Sequence, residues 1–174
     1  MKLQQSLWLL LLTLFSLPIS AQKISKKEKK ILQSIEANNE EAIEFLKKVV
    51  NINSGTLNAA GVKEVGMEFK AAYDAINFKT TWIDMPAEMN RAGHLFAETS
   101  GNKGKKILLI GHLDTVFEKD SPFQKFEMVN DSIAHAPGGN DMKGGDVIML
   151  YALKALYENG LLDEGESEIF NDYG

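Results

Sequence analysis

Apolar positions along this chain fall into three regimes. Leu7 to Leu17 (LWLLLLTLFSL) is a nearly unbroken apolar run, Ser25 to Ile76 spaces its apolar residues at helical intervals, and from Phe78 short β-rich runs take over. Ser25 to Ala37 puts Ile31 and Ile35 one turn apart among lysines, which predicts a surface helix. Glu40 to Val50 follows an Asn38-Asn39 cap, with Ile43, Leu46 and Val50 on one face, acids in its first turn and Lys47-Lys48 in its last. A third helix is predicted from Ala59 to Ile76, where Val62, Val65, Phe69, Ala72, Tyr73 and Ile76 share a core-facing stripe.

Phe78 to Met85 and His94 to Thr99 read as strands, and Lys106 to Ile110 (KILLI) as a strand buried on both faces. Gly101-Asn102-Lys103-Gly104 reads as a hairpin-like turn. It lacks the Gly-Lys-Ser/Thr ending of a phosphate loop. Phe126 to Val129 and Ile133 to His135 pair as a small hairpin. Lys143 to Asn159 is the last helix, with Val147, Leu150, Leu153 and Tyr157 inward and Gly160 as its stop. Helices before, between and after the strands imply an α/β class with a layered sheet.

The first run changes the picture of location. Lys2, the Leu7 to Leu17 core and the small residues Ser20 and Ala21 make residues 1–21 a secretory signal peptide, too short to span a bilayer comfortably. The mature protein is expected to start near Gln22 and to be exported, periplasmic or secreted, with no stable membrane anchor. The 174 residues carry net charge −5, and −6 without the leader, which argues against nucleic acid as a partner. There is no cysteine, so any metal site must be built from His and carboxylates.

Two segments hold the candidate chemistry. Gly111-His112-Leu113-Asp114 leaves the KILLI run, and Pro137 to Gly145 (PGGNDMKGG) opens the last helix. Both fall where α/β proteins bind ligands, at the carboxyl end of a strand and in the loop beyond it. Residues two apart in extended chain point the same way, so Asp114 can take the Nδ1 proton of His112 and leave Nε2 free for a metal. A nitrogen and oxygen donor set suits Zn²⁺ at a hydrolytic site. Other readings stand beside this one: His-x-Asp is a common triplet, Asp141 can act as a helix cap, and the glycines can form a plain turn or an anion nest. His94 and His135 read as non-ligands, Asp120, Asp131 and Asp146 as surface or capping carboxylates, and Met67, Met142 and Met149 as packing residues.

Together, Gly111-His112-Leu113-Asp114-Thr115-Val116 and Gly138-Gly139-Asn140-Asp141-Met142-Lys143-Gly144-Gly145 resemble the co-catalytic dizinc family of glutamate carboxypeptidase, aminoacylase, acetylornithine deacetylase and succinyl-diaminopimelate desuccinylase. The similarity runs from about Glu40 to Asp163 and includes Asn51-Ile52-Asn53-Ser54-Gly55-Thr56. What the resemblance implies is a zinc-exopeptidase-like α/β/α fold, His112 as a metal ligand, Asp114 as the catalytic carboxylate that orients it, and Asp141 as the metal-bridging carboxylate. It further implies a cis peptide after Asp141, two Zn²⁺ ions with Co²⁺ as a possible substitute, and hydrolysis of peptide or N-acyl amino acid amide bonds. Members of that family commonly form homodimers through a second domain.

The pattern is incomplete in one respect. The family draws its general base and a further ligand from an adjacent Glu-Glu pair ending the next strand, and no such pair follows Asp141 here. Asp163-Glu164 comes straight after the helix, and Ser167 to Gly174 reads as stopping where that strand should form. Residues 22–174 are therefore expected to be the amino-terminal part of a metallopeptidase catalytic domain, truncated before the substrate and dimerisation domain and inactive alone. The alternative is a non-catalytic fragment or pseudoenzyme that acts at most as a weak metal or anion binder.

Overall fold

The computed structural model describes residues 24–100, 107–162 and, for the backbone, 167–171. The signal-peptide segment, the Gly101 to Gly104 turn and Asp163-Glu164 lie outside the described residues. Helix α1 is Lys26–Ala37, started by a capping box in which the Ser25 side chain accepts from Glu28 N–H while the Glu28 carboxylate accepts from Ser25 N–H. It buries none of its residues, as its sparse apolar spacing requires. Helix α2 is Asn39–Val50 and helix α3 is Ala59–Ala75. The Asn58 side chain caps α3 by accepting from Gly61 N–H.

The α3 stripe behaves as its period demands. Val62, Val65, Phe69 and Tyr73 are completely buried, and they form one core cluster with Val49 of α2. Phe69 meets Phe45 edge-on at 5.2 Å between ring centroids and lies 6.4 Å from Tyr73. Strand β1 (Lys79–Asp84) pairs antiparallel with β2 (Gly93–Glu98), placing Trp82 opposite Leu95 and Thr80 opposite Ala97. Leu95 and Ala97 alternate inward onto the helices. Gly66 lets α3 approach this sheet closely, because a Cβ there would collide with the Trp82 ring.

Strand β3 is Ile107–Gly111, the hairpin β4 (Glu127–Asn130) and β5 (Ile133–His135) follows, and helix α4 is Gly144–Glu158. The last described strand, β6, is Ser167–Asn171, and the sheet order is β1-β2-β6-β3. β6 runs antiparallel to β2 and parallel to β3, so β3-α4-β6 is a crossover unit inside a mixed sheet. In this register Gly111 lies opposite Asn171, which puts the carboxyl ends of β3 and β6 side by side.

Three expectations are corrected here. Ser167 to Gly174 does not stop short of the next strand: Ser167–Asn171 forms it, between β2 and β3. The KILLI run is not buried on both faces, since Ile107, Leu108 and Ile110 are 55%, 52% and 60% exposed. The reason is positional: β3 ends the sheet order, and the core cluster reaches only its Leu109. Finally, Tyr157 is 41% exposed and not part of the inner face of α4. The α/β class holds, with helices against a sheet; among the described residues the core cluster joins α2, α3 and α4 to one sheet face.

Candidate metal centre

The site grows from the chain leaving β3. Gly111 ends the strand, and residues 112–114 continue extended, so His112 and Asp114 project to the same side while Leu113 turns into the core. His112 Nδ1 lies 3.1 Å from Asp114 Oδ1 and 3.1 Å from the Asp114 carbonyl oxygen. Both acceptors fix the ring, and Nε2 faces outward.

The second half comes from the glycine loop. Gly138 sits at φ +72, a left-handed conformation that favours glycine, and the irregular turn Gly139–Lys143 carries Asp141 out of helical geometry at φ −142, ψ 94. The Asp141-Met142 peptide is cis. These dihedrals bring Asp141 Oδ1 to 2.9 Å from His112 Nε2. Asp141 does not cap α4, whose amino terminus has no side-chain cap.

Electrostatics follow from this packing. Burial pulls the His112 pKa down, but the hydrogen bond to Asp141 and the charges of Asp114 and Asp141 outweigh it and hold it above the usual histidine value. Nδ1 faces Asp114 and Nε2 faces Asp141, so each ring nitrogen has a carboxylate partner. A divalent cation would take the place of the proton on Nε2.

A third loop buttresses the first. Thr56 Oγ1 donates to Asp114 Oδ2, Thr56 N–H donates to Thr115 O at 3.0 Å, and Thr115 N–H donates to Ser54 O at 2.8 Å. Ser54 Oγ donates to Leu113 O at 2.9 Å, and Gly55 bridges Thr115 in parallel. A cleft of about 300 Å³ opens over these groups, walled by Val116, Phe117, Phe123 and Ala136 beside His112 and Asp141. Phe117 and Phe123 meet edge-on at 4.9 Å.

The three residues singled out in the sequence are thus brought together. His94 is elsewhere, with Nε2 2.9 Å from the Met85 sulfur, and His135 lies on the hairpin with its ring 6.2 Å from Phe123. Asp146 is a correction: it is neither surface nor cap but completely buried, and neither of its carboxylate oxygens has a hydrogen-bond partner. Burial raises its pKa to about 7 against the opposing charges of His112 and Lys143. Lys143 is also completely buried, and burial lowers its pKa to about 8 against the pull of Asp146. Helical spacing carried the signal: Asp146 stands four residues before Leu150 and seven before Leu153, on the buried stripe of α4. Thr56 lay unremarked within the Asn51 to Thr56 motif.

His112 and Asp141 suit a divalent ion in donor type and in lining one cleft, where Asp141 is exposed. They are two donors, where a Zn²⁺ site takes three or four from protein. Among the described residues, no group of three or more His, Cys, Asp or Glu residues could hold a metal.

The model of peptidase family M20/M25/M40 matches residues 108–171, a segment containing both motifs and β6. Carboxypeptidase G2 of Pseudomonas sp. (strain RS-16) is 31% identical over 144 residues, covering 80% of this chain and 34% of that protein. Over these residues the chain is similar to the M20/M25/M40 peptidases. Among solved structures, the di-peptidase Dug1p of Saccharomyces cerevisiae superposes with a TM-score of 0.71 at 14% identity, covering 83% of this chain and 34% of that one. Human carnosine dipeptidase 1 gives a TM-score of 0.70 at 18% identity, with coverages of 83% and 34%. At these identities the structures show the shared M20 fold alone. The chain spans about a third of the length of these relatives. M20 homologues are peptidases, and so hydrolases.

Proposed function

We propose that this chain contributes His112, Asp114 and Asp141 to a dizinc hydrolase centre of carboxypeptidase type, acting on peptide or N-acyl amino acid amide bonds. The carrying observation is the geometry at His112, with Nδ1 held by Asp114 and Nε2 2.9 Å from Asp141. In this reading His112 and Asp141 hold Zn²⁺, or Co²⁺ in its place, and Asp114 fixes the imidazole tautomer. Bound divalent ions at such a centre polarise the scissile carbonyl and acidify water. The chain's own residues do the rest of what is assigned here. Phe117, Phe123 and Val116 wall the cleft and exclude water from one side, and Asp114 keeps Nε2 unprotonated toward the ion.

His112 and Asp141 are assigned to the metal and Asp114 to the imidazole, and none of the three is assigned as general base. The two-donor site also supports the second reading, a non-catalytic weak metal binder. Zn²⁺ titration of the chain against a His112→Ala, Asp141→Ala double variant tests the metal reading. Equal binding by both would end it. Release of an amino acid from glutamyl or acyl-glutamate substrates with Zn²⁺ or Co²⁺ would reject the non-catalytic reading.

We also propose export through residues 1–21. An alkaline phosphatase fusion to residues 1–30 should be active, and an inactive fusion would overturn that assignment. We propose homodimerisation as well, as the resembling family commonly shows.

A further inference from the structure

A completely buried lysine is rare, because an ammonium leaves water at a cost of several kcal/mol. Lys143 is buried in this way beside the site, and an apolar side chain of similar length would fill its space without that cost. What the ammonium adds is two directed hydrogen bonds. Nζ donates to Val49 O at 2.8 Å and Ile52 O at 3.0 Å, the carbonyls where α2 ends and the next loop begins. Its own backbone N–H donates to Gly138 O at 2.8 Å and closes the glycine loop.

These bonds complete a ring of contacts around His112. From Asp141 the chain runs two residues to Lys143, whose ammonium grips Ile52. From Ile52 it continues to Ser54 and Thr56, which hold Leu113, Thr115 and Asp114; Asp114 holds His112 Nδ1, and His112 Nε2 meets Asp141 again. Without the Lys143 link, the loop bearing Asp141 loses this side-chain tether to the segment that buttresses Asp114.

We infer that Lys143 is a positioning residue whose grip on the Val49 and Ile52 carbonyls sets the separation of the Asp141 carboxylate from the His112 imidazole. This deepens the metal-centre reading and rests on it for its metal arm alone. Asp146, one turn further along α4 and equally buried, is the competing explanation: Lys143 would then serve only to balance its charge. Removing both charged groups, read against Asp146→Asn alone, separates the two ideas: an apolar pair in place of a buried ionic one is often neutral or stabilising, and the single variant accounts for the Asp146 charge that reaches His112.

The experiment compares the full chain with Lys143→Met, Lys143→Met/Asp146→Leu, Asp146→Asn as the baseline for the lost Asp146 charge, and Val65→Ala as a core control away from the site. Three quantities are read: the melting temperature, the Co²⁺ dissociation constant from visible absorption, and the His112 Nε2 chemical shift in metal-free protein. The double variant should melt near the parent yet bind Co²⁺ about tenfold or more weakly, with the Nε2 signal displaced. Val65→Ala should melt lower and keep both site readouts. A double variant with unchanged Co²⁺ affinity and an unmoved Nε2 signal would overturn the inference. If the parent takes up no Co²⁺, the metal-centre reading falls and the metal-free Nε2 signal decides the role of Lys143. If the double variant does not fold, Lys143→Gln, which keeps one donor toward the carbonyls, carries the same readouts. Its signals should lie between parent and loss, and full parent values would count against positioning.

Discussion

Replacing Asp146 by Asn is expected to flatten the pH dependence of stability in the metal-free chain. Asp146 is completely buried, and burial lifts its pKa from 3.8 to about 7 in spite of the His112 and Lys143 charges. An acid whose pKa is higher folded than unfolded takes up a proton on folding between the two values. Its favourable contribution is whole below pH 3.8 and is lost as pH rises toward 7. A shift of about three units at about 1.4 kcal/mol each makes the difference on the order of 4 kcal/mol. Asn carries no such proton. The stability of the variant relative to the parent should therefore climb by a few kcal/mol from pH 4 to pH 8, roughly 10 °C in melting temperature for a chain of this size. Thermal or urea melts at pH 4.5, 6 and 8 measure it. Stopping at pH 8 keeps the opposite contribution of Lys143 out of the window, since its depressed pKa of about 8 acts above that point. A variant-to-parent difference constant across this range would refute the reasoning.

Three further outcomes are expected. Thr56→Val removes the hydroxyl that donates to Asp114; a hydrogen bond to a charged group is worth about 1.5–3 kcal/mol, and denaturant melts should show a loss of that order together with weaker Zn²⁺ binding in calorimetry. Gly138→Ala forces a side chain into φ +72 and against the Thr115 methyl, so stability should fall by at least about 1–2 kcal/mol, and a neutral result would disprove the strain. Phe69→Ala empties the centre of the core and should cost about 3–5 kcal/mol while Zn²⁺ affinity of the folded fraction stays unchanged.

Helix α3 was legible because its burial follows one period. Val62, Val65, Phe69 and Tyr73 recur at helical spacing, and all four are completely buried. The convergence of His112 and Asp114 was legible for a similar local reason, the two-residue repeat of extended chain. Burial of β3 was not, because an apolar run records what a strand can pack against, and not where it stands in the sheet order. β6 was missed for want of length: five residues behind an acidic, glycine-containing stretch carry little β signal, and its place is set by pairing with β2 and β3. Asp146 was read by polarity, which assigns charged residues to the surface. Its position on the apolar stripe of α4 pointed inward, and the period prevailed over the composition.

The dual hold on His112 Nδ1 separates two properties that are usually lost together. One acceptor is the Asp114 carboxylate and the other is the Asp114 main-chain carbonyl, each at 3.1 Å. Shortening that side chain leaves the peptide oxygen in place, so the aim of the ring survives on backbone alone while its basicity drops. Substitutions at position 114 therefore act as a dial on the imidazole's donor strength at constant direction.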